Sequence, residues 1–325
     1  MKRRNALGLL SGLPLAAWSA AGRAQDNYPN RPVRVVVPFG PGGSGDIISR
    51  IVAHELEKMA GQPFIIDNKP GATGMVGTGI VRQAPADGYT LLHGSTSSLA
   101  ANPSLYKQLP YDPDDFTTVA IDGIIPSFML VNKDAPYRTV KEFVAFAKAR
   151  KPGEPVFSGY GNASSRVPSA LFEERSGIKF EEVAYRDAVP SIQDLAAGRV
   201  HVVFPDQTVG ESYVRSGYVR AIAVTSLERS PQYPDLEAIA ETYPGFSVIA
   251  FVSYSLRNEV PVEIQRKLNR WITAATHKPE VRKRLLEINA TTPPADWDIG
   301  KSTDFVRNER KLWAGYIKLA KIEPQ

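Results

Sequence analysis

The amino-acid sequence predicts an α/β protein built as two lobes, each an open sheet with helices on its faces. Three observations carry that reading. Apolar runs of strand length alternate with amphipathic helical runs in two series, the first from Tyr28 to about Ile124 and the second beginning at Phe128. Polar loops follow the strands in both series, where an open parallel sheet gathers its ligand crevice. After Gly245 there is one more apolar strand and then only helices, each with a single apolar stripe that needs a partner surface, so the chain is expected to return and cover the first lobe. The expected division is residues 25–125 with 250–325 for the first lobe and 126–249 for the second. No internal repeat, low-complexity run or flexible linker interrupts it.

The chain opens with Lys2, Arg3 and Arg4, an apolar run from Ala6 to Ala21 and a small-residue site ending at Ala24. This is the layout of a secretory signal peptide, with cleavage expected near Ala24; Gly8, Gly12 and Pro14 interrupt it and it is too short to remain as a membrane span. The Arg3-Arg4 pair suits a twin-arginine exporter as well as the general one. The whole chain holds 39 basic and 34 acidic residues, net +5, and removing the leader's four basic groups leaves +1. A nearly neutral mature chain gives no argument for nucleic acid. With no cysteine, disulfides, thiolate metal sites and a cysteine nucleophile are excluded.

The first series is organised around Val33–Val52. Val33, Val35, Val36 and Val37 read as a buried strand, Pro38 to Gly45 as a turn, and Ser44 opens a helix with Asp46 in its first turn and an apolar stripe at Ile47, Ile48, Ile51, Val52 and Leu56. Gly40, Gly42, Gly43 and Gly45 put no side chain in the way of the first helical N–H groups, so the turn can cradle an anion. Two readings compete here: a carboxylate site, or a dinucleotide fingerprint, because Gly40-x-Gly42-x-x-Gly45 follows a strand and Asp67 ends the next one. The bland alternative is a tight turn only. A strand at Phe64–Asp67, a helix from about Val76 to Gln83 and a strand at Tyr89–Leu92 follow. The last runs into Ser95, Thr96, Ser97 and Ser98, a hydroxyl-rich loop that is either a second ligand wall or a capping cluster.

The second series begins with a strand at Phe128–Asn132 and a helix opened by the capping box Thr139-x-x-Glu142. A strand at Val156–Ser158 enters the loop Gly161, Asn162, Ala163, Ser164, Ser165, Arg166, then a helix to Ser176 stopped by Gly177. A strand ending at Tyr185 passes through Arg186 and Asp187 into a helix ended by Gly198. Strands at Val200–Phe204 and Val219–Thr225 follow, with a final strand expected over Phe246–Tyr254. Helices are then expected over Pro261–Thr276, Pro279–Asn289 and Ser302–Ala320.

Catalytic constellations are missing. His54, His93, His201 and His277 have no metal spacing, so no metal site is expected. Gly42-Gly43-Ser44-Gly45-Asp46 lacks the last glycine of a nucleophile elbow, and no P-loop lysine follows the glycines. The sequence argues for binding rather than turnover.

Several long motifs stand in one order: Tyr28-Pro29-x-Arg31-Pro32, Val36-Val37-Pro38-Phe39-x-Pro41-Gly42-Gly43-x-x-Asp46, Asn68-Lys69-Pro70-Gly71-Ala72, Ala86-Asp87-Gly88-Tyr89-Thr90-Leu91-Leu92, Asn102-Pro103-x-Leu105-Tyr106 and Pro279-Glu280-Val281-Arg282. On these the chain resembles, over its whole mature length, the extracytoplasmic solute receptors of tripartite tricarboxylate transporters, the Bug family. The resemblance implies a type II periplasmic-binding-protein fold, with two crossing segments near Ile124–Ser127 and Ser247–Phe251, that closes on a small carboxylated solute. It implies a periplasmic, cofactor-free and non-enzymatic receptor, monomeric, that serves the membrane components of such a transporter. The site it implies has a first wall of Phe39, Gly40, Pro41, Gly42, Gly43, Ser44 and Asp46 with Ser95, Thr96, Ser97 and Ser98. The second wall is Gly161, Asn162, Ser164, Ser165 and Arg166 with Tyr185, Arg186, Asp187 and Asp206.

Arg166, Arg186-Asp187 and Phe204-Pro205-Asp206 depart from the family's usual His, Lys-Gly and Phe-Asp-Asn. Arg166 is expected to fork onto a far carboxylate of an aliphatic or aromatic diacid. Two alternatives stay open: Arg166 pairs with Asp187 or Asp206, or one of those acids faces an amino or amide group on the solute. A nicotinamide oxidoreductase built on Gly40–Gly45 and Asp67, and a sensor subunit that presents its ligand to a membrane kinase, remain the competing functions.

Overall fold

The structure is a computed structural model that describes residues 27–161, 163–185 and 188–324. The expected leader and the candidate residues Asn162, Arg186 and Asp187 lie outside the described residues. Two sheets organise the rest. The first has the order β2-β1-β3-β11-β4, with β1 at Val33–Val37, β2 at Phe64–Asn68, β3 at Thr90–Ser95, β4 at Phe116–Pro126 and β11 at Ile249–Arg257. The second has the order β10-β9-β5-β8-β6-β7, with β5 at Phe128–Asn132, β6 at Val156–Tyr160, β7 at Phe180–Ala184, β8 at Val202–Val203, β9 at Val219–Val224 and β10 at Glu237–Ala238.

Neither sheet is purely parallel. In the first, β1 pairs in parallel with β2 and β3, but β11 is antiparallel to both β3 and β4. In the second, β5 is antiparallel to β8 and β9, while β6 pairs in parallel with β7 and β8. The eleven-residue strand β4 was not legible as a strand. Its run Phe116-Thr-Thr-Val-Ala-Ile-Asp-Gly-Ile-Ile-Pro126 mixes an acid and a glycine into an otherwise buried sequence, and Asp122 is buried only because His93 meets it at 2.9 Å.

Helices cover the faces: α1 at Ser44–Ala60 and α2 at Met75–Gln83 in the first series, then α3 at Val140–Lys148, α4 at Ala163–Ser176, α5 at Ala188–Ala196 and α6 at Gln207–Arg215 in the second. Three more, α7 at Val262–Thr276, α8 at Pro279–Glu287 and α9 at Ile299–Leu319, follow β11. The stripe Ile48, Ile51, Val52 and Leu56 of α1 is buried with Leu268 and Ile272 of α7, so the returning helices do cover the first sheet. Gly61, at φ +67°, ends α1 in the left-handed conformation that glycine adopts without strain. Thr139 caps α3 by accepting from the Glu142 N–H at 3.2 Å, and the Glu142 carboxylate reaches back to the Arg138 N–H rather than to Thr139.

Two segments join the sheets: Ser127, between β4 and β5, and the stretch that ends at Val248, before β11. Thr225 at the end of β9 ties them. Its Oγ accepts from the Ser127 N–H at 2.8 Å and donates to the Val248 carbonyl at 2.6 Å, and its carbonyl accepts from the Val248 N–H at 2.9 Å. On the same side, Trp313 and Ile317 of α9 belong to an apolar cluster that contains β1, β3, β5 and α4 side chains, and Tyr316 donates to the Ser247 carbonyl at 2.7 Å. The last helix therefore touches both lobes, resting on β4 of the first sheet and on α4 of the second lobe.

Candidate ligand-binding cleft

The strand directions fix where the cleft must be. The carboxyl ends of β1, β3 and β4 and the start of β11 share one edge of the first sheet. The carboxyl ends of β6, β7, β8 and β9 and the start of β5 share one edge of the second. Both crossings leave from these edges, so the edges face each other, and crevices in α/β sheets form outside such strand ends. A cleft of about 230 Å³ lies there, lined by Phe39, Gly43, Ser44 and Gly45, by Ser95, Thr96 and Ser97, by Ile125, Ala250, Phe251 and Val252, and by Asp206.

The first wall is held rigidly from behind. Gly42 takes φ +86°, and its N–H donates to Asp46 at 2.9 Å. The Asp46 carboxylate also receives Arg50 Nε at 3.1 Å and Asn68 Nδ2 at 2.9 Å. These hydrogen bonds outweigh the cost of burial and hold Asp46 below the usual carboxylate range. Asp46 is consequently spent inside the turn and is not free to meet a solute, which corrects its expected role. Helix α1 starts after Gly43 with no side-chain cap, so its positive end is open to the cleft. Behind Gly45 lies the buried His93, 3.7 Å from where a Cβ would stand, fixed in turn by Asp122.

The second stretch of that wall is not a loop. Ser95 ends β3, and Ser97–Ala101 form one wide helical turn. Ser98 is fully buried there: its Oγ accepts from the Ser95 N–H at 2.9 Å, and its carbonyl accepts from Tyr111 at 2.7 Å. Thr96 Oγ accepts from the Phe251 N–H at 2.7 Å and so joins β3's end to the floor of the cleft. Among the described residues, the hydroxyls of Ser44 and Ser97 have no partner within the protein, and both line the cleft.

The second lobe contributes differently from the expectation. Arg166 sits one turn into α4 and is turned toward the edge strand β7, where Glu182 takes Nε at 3.0 Å and Nη2 at 2.7 Å, with the guanidinium over the Tyr160 ring at 5.2 Å. Its fork is already filled by the Glu182 carboxylate rather than by Asp206, and Asp187 lies outside the described residues. Tyr185 donates to Asp194 at 2.8 Å, and Gly161 donates to Ser165 at 3.0 Å. Gly40, Pro41, Gly42, Ser98, Gly161, Ser165 and Tyr185 stand behind or beside the cleft rather than in its lining, and Ser164 lies in the first turn of α4. Among the described residues of the second wall, Asp206 alone reaches it. Its carboxyl has one long contact, 3.5 Å from Ser127 Oγ, and enclosure raises it to about 6.

Ile125, Ala250, Phe251 and Val252 were missed as lining residues. The signal was present, because the two expected crossing segments must floor any crevice between the lobes. A wider depression lined by Arg82, Asp115 and Arg257 lies at the opposite end of the first sheet, and its charges are paired within the protein, Arg82 with Asp115 and Arg257 with Glu259. Among the described residues no group of histidines and acids is arranged to hold a metal ion. The acid of the dinucleotide fingerprint, Asp67, is engaged by Arg34 at 2.6 Å and Lys69 at 3.0 Å.

Two lobes with a crevice at facing strand ends, lined by backbone and hydroxyl groups, define a binding protein of the type II periplasmic class. Residues 48–320 match the family described as tripartite tricarboxylate transporter family receptor, and the chain belongs to that family. Members of it are periplasmic solute receptors, not enzymes. Protein BugT of Bordetella pertussis is 32% identical over 306 residues, covering 93% of each chain. Among solved structures, Rpa4515 of R. palustris with adipate is similar at 30% identity and TM-score 0.80, covering 92% of this chain and all (100%) of that one. MatC from Rhodopseudomonas palustris with bound malate is similar at 28% identity and TM-score 0.73, covering 89% and 100%.

Proposed function

We propose that this chain is exported by its leader to the periplasm, captures a small dicarboxylate by closing its lobes, and delivers it to the membrane components of a tripartite tricarboxylate transporter. The observation that carries the reading is the uncapped start of α1 facing a cleft with two unpartnered hydroxyls, Ser44 and Ser97. A carboxylate placed there meets backbone N–H groups and the positive end of a 17-residue helix. The bound adipate and malate of the two similar proteins support a diacid. With Arg166 tied to Glu182, the far carboxylate is assigned to main-chain donors at the start of α4 rather than to a guanidinium. Closure takes place about Ser127 and the segment before β11, with residues 25–125 and 250–325 moving against 126–249.

A thermal-shift screen over aliphatic and aromatic mono-, di- and tricarboxylates tests this. A solute at 100 times its dissociation constant adds about 2.7 kcal/mol of stability, which is several degrees of Tm. A diacid is expected to give the largest shift, and no shift with any carboxylate would refute the reading.

A further inference from the structure

We propose that Asp206 is the specificity-determining residue of this cleft, and that it selects a diacid carrying a hydrogen-bond donor, a hydroxyl or an amino group, on the carbon chain between its carboxylates. The inference rests on the carboxylate reading above and names the class of solute more narrowly. Its basis is the charge and the hydrogen-bonding capacity of the lining. Among the described residues that line the cleft, Asp206 is the only ionisable one, and no described arginine, lysine or histidine joins it. The cation expected on the second wall, Arg166, is held by Glu182 through both Nε and Nη2.

A diacid without further polar groups would bring two negative charges against a third, with no cation among the described lining residues to offset them. Asp206 itself is short of donors. One oxygen has the 3.5 Å contact with Ser127 Oγ, and the other has no partner among the described residues. An enclosed carboxylate in that state gains a strong, charge-assisted hydrogen bond from any solute that presents O–H or N–H to it. Its position suits the middle of a solute. Asp206 follows β8, the strand between β5 and β6, and its backbone bridges Ser127 at the crossing, whereas the two helix starts assigned to the carboxylates lie after β1 and β6. The raised carboxyl, about 6, still leaves it ionised at pH 7.5.

Calorimetry on the full mature protein at pH 7.5 tests the proposal with succinate, malate and aspartate, which differ only in bearing H, OH or NH₃⁺ at one carbon. If the screen selects six carbons, adipate, 2-hydroxyadipate and 2-aminoadipate replace them. At least one substituted acid is expected to bind tenfold or more tightly than the unsubstituted one. Malate alone would identify the donor as a hydroxyl, aspartate alone as an ammonium. In Asp206→Asn the preference should shrink to threefold or less, with unsubstituted diacid bound as well as before or better; a Tm no lower than that of the wild type would show that the variant folds, and Asp206→Ala should behave alike in binding. Equal binding of all three acids by the wild type, or a preference that survives in both variants, overturns the role of Asp206 and leaves the carboxylate reading intact. Failure of every diacid of either series to bind the wild type overturns both.

Discussion

Gly43 carries the most direct test of the first wall at the scale of one residue. A Cβ built there meets nothing nearer than the Gly40 carbonyl oxygen at 3.9 Å, and its φ of −76° suits any residue, so a side chain would fill the cleft without straining the turn. Gly43→Val is therefore expected to fold with a Tm within a degree or two of wild type and to lose diacid binding by a hundredfold or more, read by calorimetry. Ser44→Ala removes one neutral hydroxyl contact and should weaken binding by only about 0.5–1.5 kcal/mol. Equal, small losses in both would place the anion elsewhere. Residues of this kind were partly legible in the sequence: the glycines declare a turn with open backbone, and Phe39, Gly43, Ser44, Ser95, Thr96, Ser97 and Asp206 come together in the structure. Asp46 and Arg166 were not legible. What decides them is a partner far along the chain, Asn68 for one and Glu182 for the other, and local spacing carries no record of such pairs.

At the scale of elements, α9 holds a group whose ionisation opposes folding. Glu309 is 8% exposed on a helix packed against β4 and α4, and burial raises its carboxyl to about 7. Because the folded state holds this proton more tightly than the unfolded chain does, the cost is absent below about pH 4.5, grows as pH rises toward 7, and is complete above it. Asp206 acts in the same direction over a window that ends near pH 6. These two carboxyls should therefore pull Tm down between pH 5 and pH 8, against the opposite pull of His201, whose burial favours the neutral ring as pH rises. Glu309→Gln, which keeps the shape and removes the charge, should be more stable than wild type at pH 8 by about 1–3 kcal/mol and nearly equal to it at pH 5. A constant difference at both pH values would mean that the carboxyl is not titrating. The strongly periodic elements, α1, α7 and α9, could be read from sequence to within a few residues. The mixed direction of the sheets could not, because a largely buried strand such as β1 or β11 reads as the same apolar run whichever way its neighbour points.

At the scale of the molecule, Thr225 ties the two crossings together, and the C-terminal helix shares an apolar cluster with side chains of both lobes. The two-lobed plan was legible because each half repeats the alternation of strand and helix, and the return of the chain showed in helices that had one apolar face and no strand beside them. What the sequence did not record was how the edges face, since that follows from which strands pair over long stretches of chain, β3 with β11 above all. The central claim is that a carboxylate sits at the start of α1, between the lobes. A crystal structure of the protein with the best-binding diacid of the screen tests it most directly. The account predicts one carboxylate within 3.2 Å or so of the backbone nitrogens at Ser44 and Gly45 and of the Ser44 or Ser97 hydroxyl, the range of a normal hydrogen bond, with both lobes in contact with the solute. A diacid bound outside the turn from Phe39 to Gly45, or held by one lobe alone, would contradict it.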